Sequence, residues 1–408
     1  MKLLKLITLA LIIFAIPACS DNEPAEEKNN PPMQIGLTPC ETMTMKKQNN
    51  LGYRLLKARL DKDNPVSTAI SPYSISQTLA MLANGSDGET LQEIVSALNE
   101  AGTNLDEINE YYKKLNDGIA KTDKKTKIQF VNALWANSSV SFNNNFVNTN
   151  KEYYGAILQS FNTFGDITNW YKQNTNEPIY SAVAEILKSN GPKDVYDDLT
   201  INNTTYFCGQ WKDKFSVDEN KTYTFHGENG DKTINMMHRS EYGSFFIVNS
   251  FKAAQLTYGN GAFVMDIILP DEGATVSQAL DELINKDLTD MQLISGNVTI
   301  TMPRFESTDT YRILDILSDV GISHLAGEVF PKMYTSAKAL SDYKQYISVK
   351  VDEKGTEVKV TTSTIIGWGA FDPSEGIPLT LLVDRPFLWL IKECTSGTVL
   401  FLGKVGDV

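Results

Sequence analysis

The segment at residues 128–135, with the sequence Ile-Gln-Phe-Val-Asn-Ala-Leu-Trp, restricts the possible folds more than any other part of the chain. Apolar side chains occur on both of its alternating faces, which is typical of a strand inside a sheet that is covered on both sides. Six later segments have similar strand-like patterns: 204–208, 263–269, 298–305, 347–351, 387–391 and 398–402. We therefore expect a central sheet with other elements packed on each face.

Helical patterns precede this strand and separate several of the later ones. The best-marked helix has Ser71 as its N-cap and Pro72 in its first turn, and Gly85 ends it. Its buried stripe consists of Ile75, Leu79, Leu82 and Ala83. Further helices are predicted at residues 51–60, 88–98, 278–284 and 310–320. Because no repeat and no Pro-, Gly- or Ser-rich linker interrupts the pattern, residues 37–408 are predicted to form one mixed α/β domain.

The N-terminus has the layout of a lipoprotein signal. Lys2 and Lys5 precede an apolar run at residues 6–16, which is too short to span a membrane comfortably. The run ends in Ile16-Pro17-Ala18-Cys19, which resembles the bacterial lipobox. We therefore predict that residues 1–18 are removed and that Cys19 carries the lipid. The alternative is an ordinary cleavage site followed by a chance cysteine.

The segment after Cys19 is predicted to link the lipid to the folded domain. Residues 19–36 are rich in Asn, Glu and Pro and have little to bury, so we expect a flexible tether. Ser20 occupies the position where an Asp would favour retention in the inner membrane. This favours an outer-membrane lipoprotein of the cell envelope, surface-exposed or extracellular.

Charge and cysteine content exclude several kinds of partner. The formal net charge is −13, and loss of Lys2 and Lys5 with the signal would make it −15, so the surface repels nucleic acid. Cys40, Cys208 and Cys394 remain after lipidation, and their spacing matches no zinc or redox pattern. We interpret them as structural, with one disulfide left open, and expect a monomer.

The sequence has no recognisable catalytic or metal-binding motif. Its three histidines, His226, His238 and His324, each lie in a stretch without a neighbouring metal-ligand pattern, and no His-Glu-x-x-His pattern occurs. The nucleophile elbow of serine hydrolases and phosphate-binding glycine loops are also absent. We therefore predict a protein without catalytic residues, metal or cofactor, in which each histidine is a surface or packing residue.

A collinear series of motifs identifies a family resemblance. The series begins with Ile70-Ser71-Pro72-Tyr73-Ser74-Ile75, Gly85-Ser86-Asp87-Gly88-Glu89-Thr90, Asn132-Ala133-Leu134-Trp135, Ile167-Thr168-Asn169-Trp170 and Tyr206-Phe207-Cys208-Gly209-Gln210-Trp211. It continues with Met236-Met237-His238, Ile268-Leu269-Pro270, Thr301-Met302-Pro303-Arg304-Phe305, Glu353-Lys354-Gly355-Thr356-Glu357 and Arg385-Pro386-Phe387. In this order the motifs resemble those of the serpin family over residues 37–408.

The resemblance implies both a fold and a mechanism. The fold is mixed α/β, with a large central sheet A, sheets B and C, about nine helices and an exposed reactive-centre loop. A target protease attacks the loop as a substrate, and the cut loop inserts into the central sheet while the protease is still acyl-linked. The chain is then an inhibitor of extracellular serine or cysteine endopeptidases and not an enzyme. The alternative is a non-inhibitory serpin that acts as a surface binding module.

The resemblance places the hinge of that loop at Glu353, Gly355, Thr356 and Glu357, with Gly355 allowing the backbone to rotate. Insertion as a strand turns alternate residues toward the interior of the sheet. The inward set is β-branched throughout and consists of Thr356, Val358, Val360, Thr362 and Thr364. Val358 and Val360 are bulkier than the small residues usual in inhibitory members, which predicts slower insertion.

The resemblance also identifies two supporting regions in the body of the molecule. The shutter, where the sheet opens, comprises Ser71, Ser74, Asn203 and Gln345, and Gln345 occupies the position of the family's usual histidine. The breach, where the loop enters the sheet, contains Trp211. Because Gln donates and accepts hydrogen bonds, a shutter with altered pH behaviour is expected.

Counting from Glu353 in the family's register places the scissile bond at Gly369-Ala370. The segment before Pro386 is about six residues longer than usual, so Trp368 and Phe371 are also candidates for the cleavage position. The Gly369 register favours elastase-like enzymes with small or permissive pockets. An aromatic register favours chymotrypsin-like, subtilisin-like or papain-like enzymes. Alternatively, both aromatic residues dock the loop on the body.

Overall fold

The computed structural model describes residues 31–99, 104–124, 126–137, 141–175, 180–181, 184, 199–325, 330–334, 340, 343–358 and 378–408. Within these residues it contains eight α-helices. They are α1 (Pro39–Asp63), α2 (Pro72–Ala83), α3 (Gly88–Leu98), α4 (Leu105–Thr122), α5 (Asn144–Tyr154), α6 (Phe164–Asn174), α7 (Val276–Asn285) and α8 (Leu314–Leu317). None of the helices in this part of the chain is both long and apolar enough to cross a membrane.

Fifteen strands complete the described elements. They are β1 (Thr68–Ile70), β2 (Lys127–Asn137), β3 (Ile157–Phe161), β4 (Leu199–Gln210), β5 (Lys221–Gly227), β6 (Gly230–Ile247), β7 (Phe251–Tyr258), β8 (Phe263–Pro270), β9 (Ile294–Met302), β10 (Phe305–Arg312), β11 (Lys344–Asp352), β12 (Gly355–Val358), β13 (Leu379–Leu382), β14 (Phe387–Glu393) and β15 (Val399–Val405).

The strands form two sheets. The first has six strands in the order β10-β11-β12-β4-β2-β3, and the second has nine in the order β1-β15-β14-β8-β7-β6-β9-β13, with β5 paired to β6. The expected sheets B and C are therefore continuous here. They are joined because β6 is 18 residues long and pairs with β9 from Met237 to Phe245.

The predicted two-sided strand is β2, and the prediction is confirmed. Val131, Ala133 and Trp135 pack in a small cluster with Ile167 and Tyr171 of α6, on one face of the six-stranded sheet. The alternate residues Leu134 and Ala136 belong to the main core on the other face. The sequence predicts this alternation because successive side chains of a strand point to opposite faces, whatever the neighbouring strands are.

Helix α2 lies in the main core, and every one of its residues is buried. It begins where predicted, since the Ser71 side chain accepts a hydrogen bond from the Ser74 N–H at 3.3 Å and Pro72 occupies the first turn. Ser71 and Ser74, two of the four residues of the predicted shutter, therefore lie at the buried start of this helix.

Two expectations from the sequence are wrong. The helix predicted at residues 310–320 begins late: Arg312 is still in β10, and the α-helical part is only Leu314–Leu317. Pairing of β10 with β11 along its full length outweighs the local helical pattern.

The predicted tether also ends too late. Ile35 is 5% exposed and belongs to the main core, and its N–H donates to Thr395 Oγ1 at 3.0 Å. Gly118 of α4 leaves room for it, because a Cβ there would lie 2.8 Å from Ile35 Cγ1. The packed domain therefore begins before residue 37.

Candidate functional site

The hinge segment already forms a strand of the six-stranded sheet. β12 pairs antiparallel with β11 on one side, with Val351 opposite Thr356, and with β4 on the other, with Gly209 opposite Thr356. The segment Gly355–Val358 is therefore seated between β11 and β4.

The flanking strands continue beyond the seated segment. Val358 lies opposite Phe207, and β4 extends from there back to Leu199, while β11 extends back to Lys344. The rest of the predicted inward set, Val360, Thr362 and Thr364, lies outside the described residues, as do Cys19 and the cleavage candidates Trp368, Gly369, Ala370 and Phe371. Their assignments stay predictions.

Thr356 faces the interior of the protein, as the period of two predicts. It is 2% exposed, and its hydroxyl oxygen accepts a hydrogen bond from the Tyr258 hydroxyl of β7. The side chains of Glu357 and Val358 are outside the description, although both residues belong to β12.

Gly355 is required by space and not by an unusual backbone angle. It is not among the glycines with positive φ. A Cβ on Gly355 would lie 2.2 Å from the carbonyl oxygen of Gly209 and 2.7 Å from the Cα of Gln210. In the seated hinge, the close approach of β4 therefore requires a glycine at this position, and the backbone rotation expected of Gly355 stays a prediction.

Glu353 anchors the turn between β11 and β12. It is 8% exposed and accepts hydrogen bonds from Arg304 Nε at 2.9 Å, from Arg304 Nη2, and from Asn220 Nδ2 at 2.7 Å. Burial raises the pKa of Glu353, but the hydrogen bonds from Arg304 and Asn220 outweigh it and hold this pKa below its usual value. The turn is thus held by an ionised carboxylate.

Trp211 closes the breach from the end of β4. Its indole Nε1 donates to the Asp352 carbonyl at 2.8 Å, and its backbone N–H donates to the Lys354 carbonyl at 3.0 Å. The ring is fully buried and stacks on Tyr258, with ring centroids 4.4 Å apart and planes at 16°. The structure therefore places the predicted breach tryptophan against the turn that leads into the loop.

The shutter residues Ser71 and Gln345 are in direct contact. The Ser71 N–H donates to Gln345 Oε1 at 2.9 Å, and Gln345 Nε2 donates back to the Ser71 carbonyl at 3.4 Å. The Ser71 hydroxyl donates to the Leu400 carbonyl at 2.8 Å. Gln345 thus connects β11 to the start of α2.

Ser74 makes the corresponding connection to β4. Its hydroxyl oxygen accepts a hydrogen bond from Thr205 Oγ1 at 3.1 Å. Asn203 lies opposite Asn132 in the β4–β2 register, and its side chain is outside the description. Because Gln345 and Thr205 belong to the two strands that flank β12, separating those strands changes both contacts with α2.

The sequence did not assign roles to several residues of this site. Four of them form hydrogen bonds with partners that lie between 49 and 133 positions away in the chain: Arg304, Asn220, Thr205 and Tyr258. For Gln77 a signal did exist, since it is a polar residue in a wholly buried helix. Gln77 Oε1 accepts a hydrogen bond from Asn132 Nδ2 at 2.9 Å, which ties α2 to β2.

Each of the three histidines contacts a polar side chain. His226 contacts Asp231 at 2.9 Å, His238 contacts Thr301 at 2.8 Å, and His324 contacts Glu93 at 2.7 Å. Cys40, Cys208 and Cys394 are not joined to one another by a disulfide, and Cys208 is buried in the cluster that contains Ile167 and Tyr171 of α6. The disulfide left open by the sequence is not formed among these three residues.

The arrangement is suited to binding a strand. β11 and β4 already hydrogen-bond β12 from both sides, and each backbone hydrogen bond contributes about 1 kcal/mol net.

Comparison with known proteins identifies a family and its relatives. The serpin (serine protease inhibitor) family model matches residues 46–408. The leukocyte elastase inhibitor of Bos taurus is 28% identical over 371 residues, which cover 85% of this chain and 95% of that protein. Antithrombin-III of Mus musculus is 25% identical over 381 residues, which cover 88% of this chain and 79% of that protein.

A solved structure supports the fold. The structure of Arabidopsis AtSerpin1 in its native stressed conformation superposes with a TM-score of 0.75 at 22% identity, and the match covers 91% of this chain and 99% of that chain.

Proposed function

The chain belongs to the serpin family, and on this premise we propose that it is a suicide-substrate inhibitor of extracellular serine or cysteine endopeptidases. Serpins are generally protease inhibitors rather than enzymes. The protease's Ser or Cys nucleophile attacks the scissile carbonyl carbon of the loop, the peptide bond breaks, and the new amino terminus leaves with a proton. The loop then remains linked to the protease as an ester or thioester.

The seated β12 is the observation that carries the proposal. It supports a route in which the cut loop extends β12 along β11 and β4, whose remaining lengths lie beyond Val358. About fifteen inserted residues at roughly 3.3 Å each would move the acylated protease by roughly 50 Å. Distortion of the protease active site during this movement then slows hydrolysis of the ester.

The proposed targets follow from the cleavage position. Cleavage at Gly369-Ala370 suits elastase-like proteases, and the related bovine protein is named an elastase inhibitor. Cleavage beside Trp368 or Phe371 suits chymotrypsin-like, subtilisin-like or papain-like proteases. With a lipid on Cys19, the inhibitor would protect the outer surface of a cell envelope as a membrane-anchored monomer.

The test is to mix residues 31–408 with a panel of serine and cysteine proteases and to look for an SDS-resistant adduct. Thr356→Arg places a charge at a buried position of β12, whereas Lys354→Arg keeps the charge at an exposed position two residues earlier. We expect an adduct with the parent chain and Lys354→Arg, and cleavage without an adduct for Thr356→Arg. Mass spectrometry of the released peptide identifies the scissile bond.

Parent protein that is cut in the loop by every protease, with no adduct and no rise in thermal stability, would contradict inhibition. That result would favour a surface binding module, for which bulky Val358 and Val360 are the supporting sequence feature.

A further inference from the structure

The contact between Tyr258 and the hinge lies at the point where the loop enters the sheet. Thr356 is nearly fully buried, and its hydroxyl oxygen accepts the hydrogen bond that the Tyr258 hydroxyl donates. The two residues are 98 positions apart in the chain and belong to different sheets. The bond therefore connects the hinge to a part of the body that does not belong to the sheet that receives the loop.

The Tyr258 ring is held rigidly beneath the hinge. Its exposed fraction is 0%, and it lies between Trp211, stacked at 4.4 Å, and Phe207, edge-on at 5.1 Å and 73°. Gly209 leaves room for it, because a Cβ there would lie 2.8 Å from Tyr258 Cδ1. Burial raises the pKa of Tyr258 well above its usual value, so the phenol stays protonated and able to donate.

The Tyr258 hydroxyl has a hydrogen-bond acceptor when the hinge is seated in the sheet and loses this acceptor when the hinge leaves the sheet. A buried donor that loses its partner keeps the full cost of its desolvation, whereas Thr356 outside the sheet would be hydrated. The same seated position is the first step of the insertion that the proposed function requires.

We infer that Tyr258 is a positioning residue that holds Thr356 in the sheet before any cleavage, so that the loop is kept with its first residues already inserted. The effect on protease inhibition rests on the proposed function. The effect of the Tyr258–Thr356 hydrogen bond on the hinge can be measured without a protease. The phenol sets how often the hinge leaves the sheet, and so how much of the loop is presented to an approaching enzyme.

The first measurement is hydrogen exchange by mass spectrometry on the uncleaved chain. Tyr258→Phe should speed exchange of the amides at residues 355–358 roughly five- to tenfold, and Thr356→Val should do the same. Thr356→Ser retains the hydroxyl and should exchange like the parent. The double variant Tyr258→Phe/Thr356→Val should exchange no faster than the faster single variant, because both changes remove one bond.

The matched control is Tyr112→Phe. Tyr112 is also fully buried, but its ring packs against Tyr111 and Tyr154. Tyr112→Phe should leave the hydrogen exchange of residues 355–358 unchanged. All of the variants should leave the exchange of β14 unchanged. If Tyr258→Phe misfolds, the comparison of Thr356→Val with Thr356→Ser decides.

Unchanged hinge exchange in folded Tyr258→Phe or Thr356→Val, or additive effects in the double variant, would overturn the inference. An adduct assay on the same variants separates the two proposals. If the parent forms adducts but the mutations do not change hinge exchange, the role of Tyr258 is refuted and the proposed inhibition is not. If the mutations speed hinge exchange but the parent forms no adduct, the role of Tyr258 is supported and only the proposed inhibition is refuted.

Discussion

Arg304 donates to both carboxylate oxygens of Glu353, with Nε 2.9 Å from Oε2 and Nη2 bonded to Oε1. The pair joins Arg304, which immediately precedes β10, to the turn between β11 and β12, and the two side chains differ in burial. The Glu353 side chain is 10% exposed and that of Arg304 is 42% exposed. Removing one partner therefore has different consequences from removing the other.

Arg304→Met should destabilise the uncleaved protein by about 1–3 kcal/mol, because it leaves a buried carboxylate with Asn220 alone. Glu353→Gln should cost less, since the freed guanidinium reaches water. Urea denaturation measures both. The control is Lys46→Met, which breaks the exposed Lys46–Asp290 pair and should change stability by less than about 1 kcal/mol. Equal losses for both Arg304→Met and Glu353→Gln would contradict the asymmetry.

The same pair predicts a pH dependence. Because the folded-state pKa of Glu353 lies below its ordinary value of 4.5, its contribution is fully present above that value and is lost as the pH falls through the lowered pKa. The stability difference between the parent and Glu353→Gln should therefore shrink on acidification from about pH 6 to about pH 3. Thermal denaturation at a series of pH values checks this, and a constant difference would refute it.

The shutter should become acid-sensitive when Gln345 is replaced by His. Gln345 is 4% exposed and accepts the Ser71 N–H, a role that neutral imidazole can fill and buried imidazolium cannot. Gln345→His should lose stability as the pH falls through about 6.5, where His ordinarily titrates. Gln345→Ala, the control, should lose about 1–3 kcal/mol at neutral and mildly acidic pH alike. Parallel melting curves for the two variants would argue against the shutter contact.

Gly355→Ala should expel the hinge. Its Cβ would meet the Gly209 carbonyl oxygen at 2.2 Å, a backbone contact that side-chain movement cannot relieve. Hydrogen exchange at residues 356–358 should then rise at least about tenfold. Gly243→Ala in β6 is the matched control, because its new Cβ would find its nearest neighbour at an ordinary 3.5 Å. If the amides of residues 356–358 stayed protected from exchange in Gly355→Ala, the prediction would be wrong, because β12 would have remained in the sheet while β4 moved to make room for the new Cβ.

The early start of the packed domain predicts that Ile35→Ala is costly. Ile35 is buried in the main core, so truncation should remove at least about 2 kcal/mol of stability. Gln34→Ala, at the exposed neighbouring position, should change stability by no more than about 0.5 kcal/mol. Urea midpoints compare the two. If both substitutions were silent, residues 31–36 would behave as the tether that the sequence predicted.

The sequence alone predicts features that depend on side-chain periodicity or on capping within a few residues. The two faces of β2, the capped start of α2 and the inward direction of Thr356 each follow from a side-chain period or a cap within a few residues. The motif series also indicates the family without reference to any tertiary contact. These features depend on neighbours along the chain, which is why they could be predicted.

The tertiary structure decided how far the hinge enters the sheet and what holds it there. Arg304 reaches Glu353 across 49 positions, Tyr258 reaches Thr356 across 98, and Ser71 reaches Gln345 across 274. No local pattern encodes such pairs, because each depends on how separate strands and helices are brought together. The sequence by itself determined a loop able to become a strand; only the packing of β4, β7 and β11 determined that its first residues are already one.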